Sequence, residues 1–413
     1  MSGVGKPGYK ETAVGWIPQE WEARTLAECA VVTMGQSPAG DTYNTDGLGT
    51  PLLNGPTEFT DRYPVRIQWT TAPTKLCKPG DILICVRGSS TGRMNIANDE
   101  YCIGRGLSSI RYKSGFSQDY LIQLLSFSVS ELLKSAVGST FPSIDGKAIS
   151  SINVPTPPLP EQQKIAAILT SVDDVIESTQ AQINKLKDLK TGMMQELLTK
   201  GIGHSEFKDS PVGRIPKAWD CVLLDKVARR GSGHTPDKQT KEYWNGGIKW
   251  VSLADSSKLD KLHISETENE ISSDGIKNSS AVLHPKGTVV LSRDAGIGKS
   301  AVTTDAMAVS QHFMAWICGE KLNNYFLYYL LQMWKPRFEN IAMGSTIKTI
   351  GLQYFKTLEI PLPEISEQIK IAESFLSLDD SIFKAERKRN HLTNIKKALM
   401  QDLLTGKVRV KVS

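Results

Sequence analysis

The sequence is poor in the residues that most often announce chemistry. It has six cysteines and six histidines among 413 residues. The cysteines (Cys29, Cys77, Cys85, Cys102, Cys221 and Cys318) form no C-x-x-C pair and are irregularly spaced. That pattern excludes a zinc ribbon and a redox dithiol. The histidines show no H-x-x-x-H or H-E-x-x-H spacing, so no metal site is expected. No apolar run reaches the roughly 18 residues that a membrane span requires. The opening stretch MSGVGKPGYKETAVGW lacks the apolar core of a signal peptide, and a reducing cytoplasm is the expected location. No N-P-P-Y-like adenine methyltransferase motif occurs; TPPL at 156 lacks the amide or acid before the prolines. No nuclease-type P-D…E-x-K constellation stands out either. Charge of one sign is also scarce: the formal net charge is +5. A mildly basic chain permits a nucleic-acid partner without requiring one.

What the chain does have is a large internal repeat. Residues 14 to 38 read VGWIPQEWEARTLAECAVVTMGQSP, and 212 to 236 read VGRIPKAWDCVLLDKVARRGSGHTP. Val14, Gly15, Ile17, Pro18, Trp21, Leu26, Gly35 and Pro38 return as Val212, Gly213, Ile215, Pro216, Trp219, Leu224, Gly233 and Pro236. Residues 139–199 align without a gap to 345–405, with 22 identities in 61 positions. The second copy carries eight extra residues, expected near 253–287. Each copy is long enough to bury its own core, so this is a duplicated domain pair rather than an array.

Each copy has two parts. The first mixes short β-rich runs, such as DILICV at 81–86 and TVVLSR at 288–293, with helical stretches at 119–136 and 323–334. The second reads as a long helix. Proline-rich segments at 154–161 and 360–367 close the globular part, and Pro160 and Ser366 mark helix starts with Glu161 and Glu367 in the first turn. Apolar residues then recur at spacings of three and four: Leu169, Val172, Ile176, Thr179, Ile183, Leu186, Met193 and Leu197, and Phe375, Leu378, Ile382, Ala385, Leu392, Leu399 and Leu403. Lys190, Arg389 and Lys396 interrupt this heptad seam. A lone heptad helix cannot bury its stripe, and the partner at highest effective concentration is the other copy. The expectation is an α+β fold: two similar globular domains joined by two long antiparallel coiled-coil helices in a pseudo-two-fold tandem repeat. The boundaries are 1–155, 156–205 for the first helix, 206–360, and 361–413 for the second. Each helix would be on the order of 60 Å long.

The chain resembles the specificity subunit of type I restriction–modification systems. The resemblance rests on the WIPQEW and RIPKAW openings, the GQSP and GHTP turns, and GSTFPSI and GSTIKTI. It rests also on PTPPLPEQQKIAAILTSVDDVI and PLPEISEQIKIAESFLSLDDSI. It covers nearly the whole chain. It implies two target-recognition domains, each binding one part of a bipartite site in double-stranded DNA. It implies helices that act as spacer and as docking surface for two methyltransferase subunits, with two restriction subunits added in nuclease-competent assemblies. It implies a non-catalytic chain without cofactor of its own; S-adenosylmethionine, ATP and Mg would belong to the partners.

The residues yield candidates of their own. RDAGIGKS at 293–300 ends like a phosphate-binding loop, but G-x-x-x-x-G-K-[ST] needs glycine where Arg293 stands. Its first-copy counterpart is RGSSTGRM, and at the common offset Arg87 matches Arg293 and Arg93 matches Lys299. These four cations are expected at the DNA backbone. If the copies read different bases, reading residues should differ between them. Gln36 faces His234, Ser37 faces Thr235, Arg105 faces Gln311, Gly106 faces His312, and Ser89 and Ser90 face Ala295 and Gly296. Gln36, Ser37, Ser89, Ser90, Arg105, His234, Thr235, Gln311 and His312 are therefore the base-reading candidates. Gly138-Ser139-Thr140 and Gly344-Ser345-Thr346 read as capping loops or phosphate contacts. Asp173-Asp174 and Asp379-Asp380, and the basic run Lys384, Arg387, Lys388 and Arg389, read as solvated helix faces; the acidic pairs could instead meet a partner subunit. Two rival readings are a coiled-coil scaffold without sequence-specific DNA binding and a nucleotide-hydrolysing enzyme using RDAGIGKS.

Overall fold

A computed structural model describes residues 7–134, 143–343 and 348–412. The chain divides into two compact units, residues 1–180 with 387–413, and residues 181–386. Each unit therefore takes part of both long helices, which run Leu159–Lys200 and Ile365–Leu403.

Both units are built on the same plan. In the first, Ala30–Met34, Leu107–Tyr112, Ile82–Cys85 and Met94–Ile96 form an antiparallel sheet. In the second, Ala228–Ser232, Phe313–Cys318, Val289–Ser292 and Ser300–Thr303 repeat it, with His263–Ile264 added at the edge. Ile82–Cys85 and Val289–Ser292 are buried along their whole length, as the apolar runs Ile82–Cys85 and Val289–Leu291 require, with Ser292 buried at the strand end. A second sheet in each unit contains one parallel pair. Thr50–Leu53 lies beside Tyr101–Ile103, and Trp244–Val251 beside Met307–Val309. The extra residues of the second unit lie after Val251 and include the short helix Ser273–Lys277.

The Trp and Glu-Gln motifs of the two copies meet in space. Trp21 and Trp219 are fully buried, and their indole N–H groups donate to Glu161 and Glu367, at 3.0 Å each. The neighbouring glutamines hold the globular part to the helix start. Gln162 accepts from the backbone N–H of Ser117 and donates to Pro157 O; Gln368 accepts from Asn323 N–H and donates to Lys321 O and Pro363 O. The acidic residue is completed differently in the two units. Arg409 donates from Nε and Nη2 to Glu161 at 2.7 and 2.9 Å, whereas the imidazole of His204 lies 3.0 and 3.1 Å from Glu367.

The helices run antiparallel within each unit. Lys396 pairs with Asp173 and Arg389 donates to Gln180 in the first; Lys187 pairs with Glu386 and Lys190 with Asp379 in the second. The seam residues Leu169, Thr179, Ile183, Phe375, Ile382 and Ala385 are buried. One expectation is corrected here. Asp173 and Asp379 are half-buried and paired rather than free on a solvated face: each takes a lysine from the opposite helix and a hydrogen bond from the globular part, Gln123 Nε2 to Asp173 and Tyr329 OH to Asp379. The interrupting lysines are the partners of these acids. Their neighbours remain at the surface, where Asp174 accepts from Arg62 and Asp380 from Lys384. Arg389 likewise departs from the solvated face expected of it.

Candidate nucleic-acid interface

The glycine-rich loops at 88–92 and 294–298 are hairpin turns between antiparallel strands, not strand-to-helix turns. Gly88, Gly92, Gly296 and Gly298 take positive φ there, which glycine adopts without steric cost. A phosphate-binding loop needs a helix N-terminus behind it, and RDAGIGKS has a strand instead.

Register overturns one of the expected equivalences. Val86 N–H donates to Gly106 O, and Arg293 N–H donates to His312 O. Ile144 N–H donates to Val86 O, and Ile350 N–H to Arg293 O. Arg293 thus occupies the place of Val86, not of Arg87; the second hairpin is one residue shorter. A slip of one residue turns a side chain to the opposite face. Arg87 is exposed, while Arg293 is held inside, donating from Nε to Ile350 O at 3.0 Å. Arg93 and Lys299 do correspond, and both are bonded to another segment of their own unit. Arg93 donates to Pro56 O and Phe59 O, and Lys299 to Ser256 O and Oγ. Of the four expected backbone cations, Arg87 alone has no side-chain partner among the described residues. Ser89 and Ser90 lie at the tip of the first hairpin, exposed and half-buried. The two Gly-Ser-Thr turns lie outside the described residues.

The other divergent positions come together. In the first unit, Ser37 Oγ accepts from the backbone N–H of Arg105 at 3.1 Å, and Gln36 O accepts from Thr74. In the second, Thr235 Oγ1 donates to Gln311 Oε1 at 2.5 Å, and the Gln311 amide nitrogen lies 3.4 Å from His312 Nε2. His312 Nδ1 lies 2.6 Å from Asp294, which also accepts from Thr349. A carboxylate at Nδ1 holds that nitrogen protonated and turns Nε2 towards Gln311. Gln36, Arg105, His234 and Gln311 are exposed. A tight approach sets up each cluster. A Cβ on Gly35 would stand 2.2 Å from Gly104 O, and one on Gly233 only 1.5 Å from Val309 O.

In the second unit this cluster lines a cleft of about 510 Å³, shared with Lys238, Trp244, Trp250 and Asn269. The two indoles meet edge to face at 5.2 Å. Nothing in the repeat pattern pointed to these residues; their signal was divergence, Trp250 standing where the first unit has Leu52. No group of three or more potential metal ligands occurs among the described residues. No described helix is long and apolar enough to cross a membrane.

The model of the type I restriction modification DNA specificity domain matches residues 18–188 and again 216–394. The chain belongs to this family. A type I restriction enzyme specificity subunit of Methanocaldococcus jannaschii, MjaVIII, is 28% identical over 416 residues, covering 98% of this chain and 96% of that protein. The HindI specificity subunit of Haemophilus influenzae is 21% identical, covering 81% and 88%. The S subunit of a type I system from M. genitalium has the same fold, with a TM-score of 0.60, 14% identity, and coverage of 93% and 96%. A chain from a structural study of type I system assembly gives a TM-score of 0.59 at 17% identity, covering 95% and 99%. The α+β tandem repeat with two long helices is therefore that of a specificity subunit.

Proposed function

We propose that each unit binds one part of a bipartite DNA target, and that the helices serve as spacer and as docking surface for methyltransferase subunits. The observation that carries this is the pattern of sameness and difference. The clamps around Trp21 and Trp219 and the paired acids Asp173 and Asp379 are kept, while the exposed clusters around Arg105 and Gln311 diverge. A scaffold kept twice with its exposed polar groups changed suits two readers of different sequences. The chain itself carries no chemistry in this reading and holds no cofactor; methyl transfer and any ATP-driven cleavage belong to partner subunits. Arg87 is the phosphate contact of the first unit, and Arg93, Arg293 and Lys299 hold their loops in shape.

The test is to express the chain with its modification subunit and map methylated adenines in host DNA. Two short defined sequences separated by a fixed unread gap are expected. Methylation without any enriched split motif refutes the proposal.

A further inference from the structure

Parallel strands deliver their following loops to the same end of a sheet, where a crevice opens between them. Here the segments after Leu53 and Ile103 emerge together, and so do those after Val251 and Val309. Backbone hydrogen bonds fix the correspondence: Gly104 N–H to Leu53 O and Ser310 N–H to Val251 O, both 2.8 Å. Asn54 thus matches Ser252, Gly104 matches Ser310, and Arg105 matches Gln311. Strand pairing matches Gln68, opposite Leu52, with Asn269, opposite Trp250.

Side-chain volume is exchanged across this crevice. A Cβ on Gly104 would stand 2.3 Å from Asn54 Oδ1, so a side chain at 104 would push the Asn54 carboxamide out of its present position. In the second unit both positions are serine. Asn54 Nδ2 donates to Gln68 Oε1 at 3.0 Å. That bond leaves the Asn54 oxygen and the Gln68 amide nitrogen without further partners among the described residues. An acceptor beside a donor is what the N6 and N7 edge of adenine requires. Arg105 is exposed beside them, and its planar fork matches guanine O6 and N7. In the second unit the buried Ser310 hydroxyl has no partner among the described residues, and it lines the cleft with Gln311, His312 and Asn269. Polar groups in such a place ordinarily have partners.

We propose that the crevice at the end of the parallel strand pair is the base-reading site of each unit. Arg105, Asn54 and Gln68 read purine edges in one half-site, and Gln311, His312 and Asn269 read the other. This rests on the DNA-specificity reading above. It adds Asn54, Gln68 and Asn269 as specificity determinants and separates them from the phosphate-contacting hairpin.

The experiment compares methylation motifs of the full chain with its modification subunit, as wild type and as Arg105→Lys, Asn54→Ala and Gln311→Ala. Each variant should relax discrimination at one position of its own half-site by roughly 5- to 150-fold, the range for one bidentate contact. The other half-site should be unchanged. Arg105→Lys keeps the charge, so the salt dependence of binding should also be unchanged. Arg105 and Gln311 are exposed, and melting curves at wild-type temperature show that those variants fold. A split wild-type motif with no shift in any variant overturns the crevice assignment while leaving the function intact. A uniform loss across all sequences, with no position relaxed, overturns it in favour of phosphate contact. A wild type with no split motif overturns both.

Discussion

Replacing Arg409 by alanine removes the cation that holds Glu161. The Glu161 side chain is 3% exposed and accepts two guanidinium bonds from Arg409 and one indole bond from Trp21. Losing one partner of a buried ion pair costs about 3–5 kcal/mol. Arg409 itself is 38% exposed, and water can enter the space it leaves, so the lower end applies, about 3 kcal/mol. Its second pair, with the largely exposed Glu20, adds little. For a unit of this size, each kcal/mol lowers Tm by roughly 2–4 °C, giving a drop of about 6–12 °C. His204→Ala is the internal control. Glu367 is more exposed, at 16%, and keeps the Trp219 indole and the Ile202 N–H. Its loss should cost about 1 kcal/mol, or roughly 2–4 °C. Calorimetry of the full chain reads both. The reasoning fails if Arg409→Ala melts within 2 °C of wild type, about what an ordinary surface change allows, or if His204→Ala is the more damaging.

Gly233→Ala drives a Cβ to 1.5 Å from Val309 O and should prevent soluble expression, costing more than about 3 kcal/mol, while Gly40→Ala, in open space, should melt as wild type. Burial pushes the Cys77 thiol up to about 12 and Cys85 to about 11, so both stay protonated at pH 8. Neither should be alkylated by iodoacetamide until the protein is unfolded, as mass spectrometry of the labelled peptides would record. Asp173→Lys should be destabilising by about 1–3 kcal/mol and be partly rescued by Lys396→Asp, since the two side chains face each other at 2.6 Å; urea titration of the double-mutant cycle measures the coupling. Lengthening Leu169–Leu197 and its partner segment by matched turns should change the tolerated gap in the methylation motif and leave both half-site sequences alone.

The regular elements were legible because periodicity is a local signal. Ile82–Cys85 and Val289–Ser292 lie inside the expected strands, and the long helices begin one residue before Pro160 and Ser366. The Glu-Gln pairs were visible as repeated letters, but their role was not, because the indoles they bind lie about 140 residues away. Asp173 looked solvated because only its own helix was in view; Lys396 comes from the other. The match of Arg87 to Arg293 failed because a one-residue gap sits inside a hairpin loop. An identical residue on each side of the gap concealed it. The crevice was least legible, since Asn54, Gln68 and Arg105 converge from three segments and only strand register shows them as neighbours.

The exchange of Asn54 and Gly104 for Ser252 and Ser310 bears on how such a protein can change over generations. Starting from the first unit, a serine at 104 meets the end of the Asn54 side chain, which must swing aside and give up its hold on Gln68. Shrinking the asparagine first avoids that disturbance. Travelling the other way, placing glycine before asparagine avoids it too. The undisturbed route in both directions passes through the small pair, serine opposite glycine. That intermediate has the most open crevice and the fewest groups for discriminating bases. A lineage that takes this route passes through a relaxed ancestor on its way between two stricter ones.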